Sequence, residues 1–299
     1  MLICRDMKLF HLNASFSKRP APTWLSAALM LVASTILQLN AADSIIDLQT
    51  PTLESGQPSP GKRVKMTFKE NSGTELYHVL YLPTDWKEGH TDPVIVEYAG
   101  NKYKQGPGTP ESCDLGYGLS GGKGVIWVSL PYVNSKEMKN APSWWGDIDA
   151  TVAYCKKAVA NVCAEYGGDP DKLFIAGFSR GSIACNFIGL HDDEIAVLWR
   201  GFICHSHYDG VRNWGYTGAD KASAKKRLMR LGDRPQYISH EKSVQATKDY
   251  LLKAKPDGAF TFVDLPFPEH TDTWVLRESK ERQQLREWFQ RQTTSKKKE

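Results

Sequence analysis

The stretch "LFIAGFSRGS", residues 173–182, sets four mostly apolar residues and a glycine ahead of a serine fenced between Gly177 and Gly181. "KLFIA" reads as a buried strand and "SIACNFIGL" as a helix. Gly177-Phe178-Ser179-Arg180-Gly181 is therefore G-x-S-x-G between a strand and a helix, the setting that separates a nucleophile elbow from a chance match. The glycines have a steric purpose there. Side chains at 177 or 181 would collide with the neighbouring strand and helix, and the tight bend lifts the Ser179 hydroxyl above the sheet edge. It also aims the N-terminus of the next helix at whatever binds.

Working outward, "PVIVEYAG" (93–100), "GVIWVSLPY" (124–132), "KLFIAGFS" (172–179), "GFICHSHY" (201–208), "PQYISH" (235–240) and "FTFVDLPF" (260–267) are short apolar runs without alternation. Such runs suit strands covered on both faces. Between 147 and 166, Ile148, Val152, Cys155, Val159, Val162 and Tyr166 recur at three- and four-residue steps and make one helical stripe. "KSVQATKDYLLKA" (242–254) and "TWVLRESKERQQLREWFQ" (273–290) also read as helices. Ahead of all these, Val64, Met66 and Phe68 alternate with polar residues and "NSGT" turns the chain, so 62–83 reads as a hairpin. Strands alternating with helices predict a mainly parallel twisted sheet covered on both faces, with an antiparallel hairpin at its N-terminal end. Residues 62–292 read as one domain, 43–61 as a Pro-, Ser- and Gly-rich surface lead-in, and 293–299 as a solvated basic tail.

The segment "YGGDPDKLFIAGFSRGS", 166–182, resembles the corresponding stretch of the α/β-hydrolase superfamily. It is especially similar to secreted esterases of the feruloyl-esterase and polyhydroxybutyrate-depolymerase type, whose elbow likewise follows Asp-Pro-Asp and a short apolar strand. The likeness in strand order spans most of 62–290, with specific motifs confined to a few places. It implies the α/β-hydrolase fold, and Ser179 as nucleophile followed in chain order by an acid and a histidine. His270, in "LPFPEHTDTW", lies between the last predicted strand and the last helix, where the superfamily's histidine is expected. His205 and His207, in "ICHSHYDG", also follow a strand and read as substrate-side or packing residues, because the histidine comes last.

For the acid, the resemblance favours Glu241, directly after the penultimate strand, although the family's usual Gly-x-x-Asp loop is missing. Asp233 competes if "RLMRL" is the strand, and Asp209 competes if the acid follows the preceding strand. The acid's role is to hold the histidine in the accepting tautomer and to stabilise the imidazolium. An oxyanion hole needs two donors. One is the backbone N–H of Arg180. The other comes from "AGNKYKQGPG" (99–108), which stands in place of an HGGG-type loop and offers Asn101 or Lys102. An arginine directly after the nucleophile is also similar to the elbow of glucuronoyl esterases, where it accompanies uronate-ester chemistry, but the rest of that motif is missing. Trp144, Trp145 and Trp214 fall in loops at the same end, either as platforms for sugar or phenolic rings or as buried anchors.

The remaining composition mostly excludes. The chain has 299 residues and a net charge of +4. Basic residues from Arg5 to Arg19, an uncharged stretch from Thr23 to Leu39 and a following "NAAD" read as a secretory signal over 1–42, with cleavage after Ala41 or Ala42 and Met7 as an alternative start. Residues 1–42 carry four basic and one acidic side chain, so +4 less +3 leaves +1 for the mature chain. No concentrated basic face is left for nucleic acid. Six cysteines reduce to five once Cys4 leaves, so at least one thiol is unpaired. Cys155 and Cys163 lie about 12 Å apart along a helix, too far to bridge. No metal-ligand spacing is present.

The sequence thus leads to a secreted or periplasmic serine hydrolase, cofactor-free, with no membrane contact after signal cleavage. Its expected chemistry is carboxylester cleavage through an acyl-enzyme on small-molecule or polysaccharide-linked esters. A peptidase of the prolyl-oligopeptidase type would use the same triad, though no propeller or gating domain precedes it here. A catalytically inactive member acting as a binding module is the reading from another class.

Overall fold

The unalternating apolar runs form the parallel part of a nine-stranded sheet in a computed structural model that describes residues 45–104 and 106–294. The expected leader, Cys4 and residues 295–299 of the basic tail lie outside the described residues. In chain order the first elements are β1 (Leu53–Glu54), β2 (Arg63–Met66), β3 (His78–Tyr81), β4 (Asp92–Tyr98), α1 (Leu115–Ser120) and β5 (Ile126–Leu130). A small pair, β6 (Val133–Asn134) and β7 (Lys139–Asn140), precedes the long helix α2 (Ile148–Tyr166). Next come β8 (Gly168–Phe178), α3 (Arg180–Phe187), α4 (Asp193–Ala196), β9 (Gly201–His205) and α5 (Lys221–Leu228). The last are β10 (Gln236–His240), α6 (Gln245–Ala254), β11 (Phe260–Asp264) and α7 (Lys280–Thr294).

The sheet order is β1-β2-β3-β5-β4-β8-β9-β10-β11. β2 and β3 form the expected antiparallel hairpin, Val64 opposite Leu80, and β3 joins β5 antiparallel. From β5 to β11 every pairing is parallel. β4 shows why both faces must be covered. Val94, Val96 and Tyr98 pack with Val152, Val159 and Val162 of α2 on one face, while Ile95 packs on the other with Leu115 of α1 and Leu285 and Trp288 of α7. Burying each such aliphatic side chain contributes roughly 1.5–3 kcal/mol, so the strands have no polar face to spare. Glu97 is the exception. Its carboxylate accepts from the Leu115 and Gly116 backbone N–H groups and from Trp127 Nε1, which ties β4 to the start of α1.

Two expectations change. The run 273–290 is not one helix: a 3₁₀ turn over Thr273–Leu276 ends at extended Arg277, and α7 starts at Lys280. The break has a cause in the lead-in. Ile46 bridges Arg277, Glu278 N–H donates to Ile45 O, and Asp47 and Leu48 N–H both donate to Leu276 O, so this backbone is paired outward and cannot be helical. The lead-in is accordingly fastened rather than loose. Asp47 pairs with Arg282 at 2.7 Å, and β1 pairs in parallel with β2. No disulfide joins the five described cysteines, of which Cys113, Cys155, Cys185 and Cys204 are buried.

Candidate active site

The elbow forms because β8 runs straight into α3 with Ser179 at the junction, at φ 54° and ψ −113°. That left-handed backbone is costly for a residue with a side chain. It persists because the turn is wedged: a β-carbon at 177 would overlap the backbone of Gly181, and one at 181 would overlap the Tyr98 carbonyl oxygen of β4. Ser179 N–H donates to His205 O at 3.0 Å, which carries the β8–β9 ladder one residue past the strand.

Three expected residues come together there. Ser179 Oγ lies 3.2 Å from His270 Nε2, and His270 Nδ1 lies 2.7 Å from Glu241 Oε1. Glu241 follows β10 directly and is buried. Burial pushes its carboxyl up, but the His270 hydrogen bond and its own backbone N–H outweigh this and bring it down to about 2. The carboxylate is therefore ionised across the ordinary pH range. With Nδ1 donating to Glu241, His270 Nε2 is left to accept from Ser179.

The competing acids are elsewhere. Asp209 is fully buried in a two-bond ion pair with Arg227, at 2.9 and 3.1 Å. Asp233 is exposed in the turn after Leu231, because "RLMRL" is helical rather than a strand. The other histidines frame the site. His205 is wholly buried. Its Nε2–H donates to Thr271 O at 3.1 Å and its Nδ1 faces Ser239 Oγ at 3.0 Å, so it fixes the residue after His270. Burial above all holds His205 down to about 4, and it stays neutral. His207 stacks on Trp214 with ring centroids 5.6 Å apart and lies 5.3 Å from the His270 ring.

Arg180 does more than the sequence suggested. Its side chain is buried at 1% exposure, and among the described residues it is held by carbonyl oxygens rather than by a carboxylate. Nη2 donates to Gly100 O (2.8 Å) and Gly108 O (2.9 Å), and Nη1 donates to Trp144 O (2.6 Å) and Ala141 O (3.3 Å). The Tyr132 ring lies 3.8 Å from its Cζ. Burial lowers the guanidinium to about 10, which leaves it charged. In a trans peptide the C=O and the next N–H point in opposite directions. Because Gly100 O points at Arg180, the Asn101 N–H is turned away from it. No hydrogen bond uses that N–H among the described residues. Lys102 is excluded as the second donor, since its N–H is spent on Pro142 O at 2.7 Å.

A cleft of about 930 Å³ opens on Ser179 and His270, walled by Gly100, Asn101, Lys104 and Lys242. Past His207, Trp144 packs against Trp214 (5.5 Å) and the exposed Tyr216 (4.7 Å), an aromatic wall that is not part of the cleft lining. Trp145 does not belong to this wall: it is buried and stacked on Phe187 at 4.2 Å. Sequence reading missed Tyr216 and Ser206. Ser206 has φ 82° and is buried, with Oγ 3.1 Å from both Glu241 Oε1 and His270 Nδ1. Its only signal was its place between two histidines after a strand.

No protein-family profile and no curated protein matches the chain. Solved structures do. An acetyl ester-xyloside bifunctional hydrolase from Caldicellulosiruptor lactoaceticus is 15% identical over 79% of this chain and 98% of its own, with TM-score 0.54. An esterase from Rhizomucor miehei is 13% identical over 92% of each chain, with TM-score 0.50. The acylaminoacyl peptidase of Pyrococcus horikoshii is 14% identical over 80% of this chain and 43% of that one, with TM-score 0.55. The chain spans 35% to 62% of the length of four others, a thermostable esterase and an isopeptidase among them. With the sheet order and the hairpin, the likenesses at TM-scores of 0.50 to 0.55 give the chain the α/β-hydrolase fold.

Proposed function

We propose that this protein is a serine hydrolase that cleaves carboxylic esters through an acyl-enzyme on Ser179. The observation that carries the reading is the unbroken hydrogen-bond line Ser179–His270–Glu241 at a strained elbow facing an open cleft. His270 Nε2 takes the hydroxyl proton as Ser179 Oγ bonds to the ester carbon, and Glu241 stabilises the imidazolium. The negative oxygen is received by the Arg180 and Asn101 N–H groups, each such donor contributing about 3 kcal/mol. The imidazolium then gives its proton to the departing alkoxide. Water attacks the acyl-enzyme with His270 again as base, and the acid product leaves with Ser179 restored.

Among esters, those linked to carbohydrate or polymer fit best. The cleft is open, and outside it, past His207, the Trp144–Trp214–Tyr216 wall offers ring faces on which a sugar or phenolic ring of a long substrate can stack. A fluorophosphonate probe and a panel of aryl esters, acetylated xylosides and peptide anilides test the reading. Labelling of the parent but not of Ser179→Ala, with esters turned over well above anilides, is the expected result. Faster anilide cleavage would move the protein to the peptidases, and an unlabelled, inactive parent would leave only a binding fold. Export is part of the same proposal: mature protein recovered outside the cytoplasm should begin at Ala42 or Asp43.

A further inference from the structure

Ser206 is the residue that the three-membered reading leaves unexplained. It follows β9, its N–H donates to Ser239 O at 2.8 Å, and this ladder bond sets it beside the end of β10, where Glu241 begins. Its φ of 82° is a conformation that glycine adopts freely and serine does not. Strain of this kind, of order 1–3 kcal/mol, persists where the surroundings hold it, and here it turns the hydroxyl into the triad. The oxygen lies 3.1 Å from Glu241 Oε1, 3.1 Å from His270 Nδ1 and 3.0 Å from His207 Nδ1.

Counting protons assigns the directions. A serine hydroxyl has one hydrogen to give and two lone pairs. His270 Nδ1–H is committed to Glu241 at 2.7 Å, so the Ser206 hydrogen goes to the carboxylate. His207 must then donate its Nδ1–H to Ser206. Both side-chain hydrogen bonds that Glu241 receives end on Oε1, while Oε2 is buried with no hydrogen-bond donor among the described residues, the His240 Nδ1 3.4 Å away being spent on accepting from Lys242 N–H. Half of the side-chain donors holding this buried carboxylate therefore come from Ser206.

We propose that Ser206 is a positioning residue of the catalytic centre, a fourth member that fixes Glu241 against His270 and links His207 into the same line. This rests on the serine-hydrolase reading above. The titratable groups that face the network are His207, Glu241 and His270 in direct contact with Ser206, His240 with its Nδ1 3.4 Å from Glu241 Oε2, and His205 beyond Glu241. Without the Ser206 hydrogen the carboxylate is more basic and holds the imidazolium more tightly.

The test compares Ser206→Ala and Ser206→Gly with the parent on one aryl ester. The glycine variant removes the hydroxyl while relieving the left-handed backbone, so it cannot fail merely by strain. Losing a hydrogen bond to a buried charge predicts a kcat about tenfold to a hundredfold lower, with KM within about twofold. The acid limb of kcat/KM should move up by roughly half a pH unit in both variants. Ser206→Gly should unfold no more easily than the parent. If the glycine variant keeps kcat within about twofold of the parent, or its acid limb stays in place, the inference is overturned. A parent that neither hydrolyses the ester nor takes the fluorophosphonate label would instead sink the hydrolase reading itself.

Discussion

At the scale of single residues, the site spends strain and burial on aiming dipoles. Ser179 and Ser206 both hold positive φ, and each is fixed by a backbone bond to a neighbouring strand. Arg180 is buried as a cation among carbonyl oxygens, and by holding Gly100 O it turns the Asn101 N–H away from itself. Glu241 is the member whose role can be isolated best, because an amide fills the same space. Glu241→Gln keeps the geometry but can present its NH₂ to His270 Nδ1, which favours the wrong tautomer and leaves the imidazolium unsupported. Turnover should fall about 10³–10⁴-fold with KM little changed, and fluorophosphonate labelling of Ser179 should slow in parallel. A loss below about tenfold would mean that another group orients His270. Of these residues, Ser179 and His270 were legible from motif and order along the chain, whereas order left Glu241 open against Asp209 and Asp233, which also lie between them. Ser206 was not, because no pattern of residue types announces a serine with left-handed backbone.

At the scale of elements, the elbow works because β4, β8 and α3 touch at their backbones. Gly181 is where α3 meets the last carbonyl of β4, and there is no room for a methyl group. Gly181→Ala must push α3 off the sheet, which displaces the Arg180 N–H and the Arg180 side chain together. We expect a stability loss of about 3 kcal/mol or more by urea unfolding, and activity loss beyond what the unfolded fraction explains. A variant of near-parental stability and activity would show that the turn is looser than its contacts imply. Elements were the most legible level. Every unalternating apolar run became a strand of the parallel sheet, since a strand covered on both faces has few places for polar residues and must pair those it carries, as Glu97 does. The long carboxy-terminal helix was misread in its first two turns for a tertiary reason. Nothing local in "TWVLRES" reveals that residues 45–48 will take its backbone hydrogen bonds. Lys102 failed as an oxyanion donor in the same way, since its partner Pro142 lies in a loop 40 positions on.

At the scale of the whole molecule, the buried ionisable groups tie stability to pH in opposing directions, so one group must be isolated to make a usable claim. His78 suits this. It stands in β3, in the hairpin far along the sheet from β10, with its ring against Phe68 and its Nδ1 2.9 Å from the Tyr154 hydroxyl. Burial alone lowers it to about 4 from an ordinary 6.5. A histidine held neutral in the fold contributes stability that is complete above pH 6.5. Below that the unfolded chain binds a proton that the native state refuses, and the contribution is lost as pH falls through 4. At 1.36 kcal/mol per unit, the loss between those limits is about 3 kcal/mol. His78→Phe removes this proton while keeping a ring in the core, at the cost of an unpaired Tyr154 hydroxyl that does not vary with pH over this range. Urea unfolding of both proteins at a series of pH values from 7 to 4 should show the parent losing about 3 kcal/mol more than the variant. The sheet order makes a further demand. Because the hairpin and the triad lie in different parts of the sheet, the acid limb of ester hydrolysis should be the same for both proteins wherever both remain folded. Parallel stability curves would mean that His78 is reached by solvent and titrates freely. A shifted acid limb would mean that the hairpin and the catalytic strands move as one.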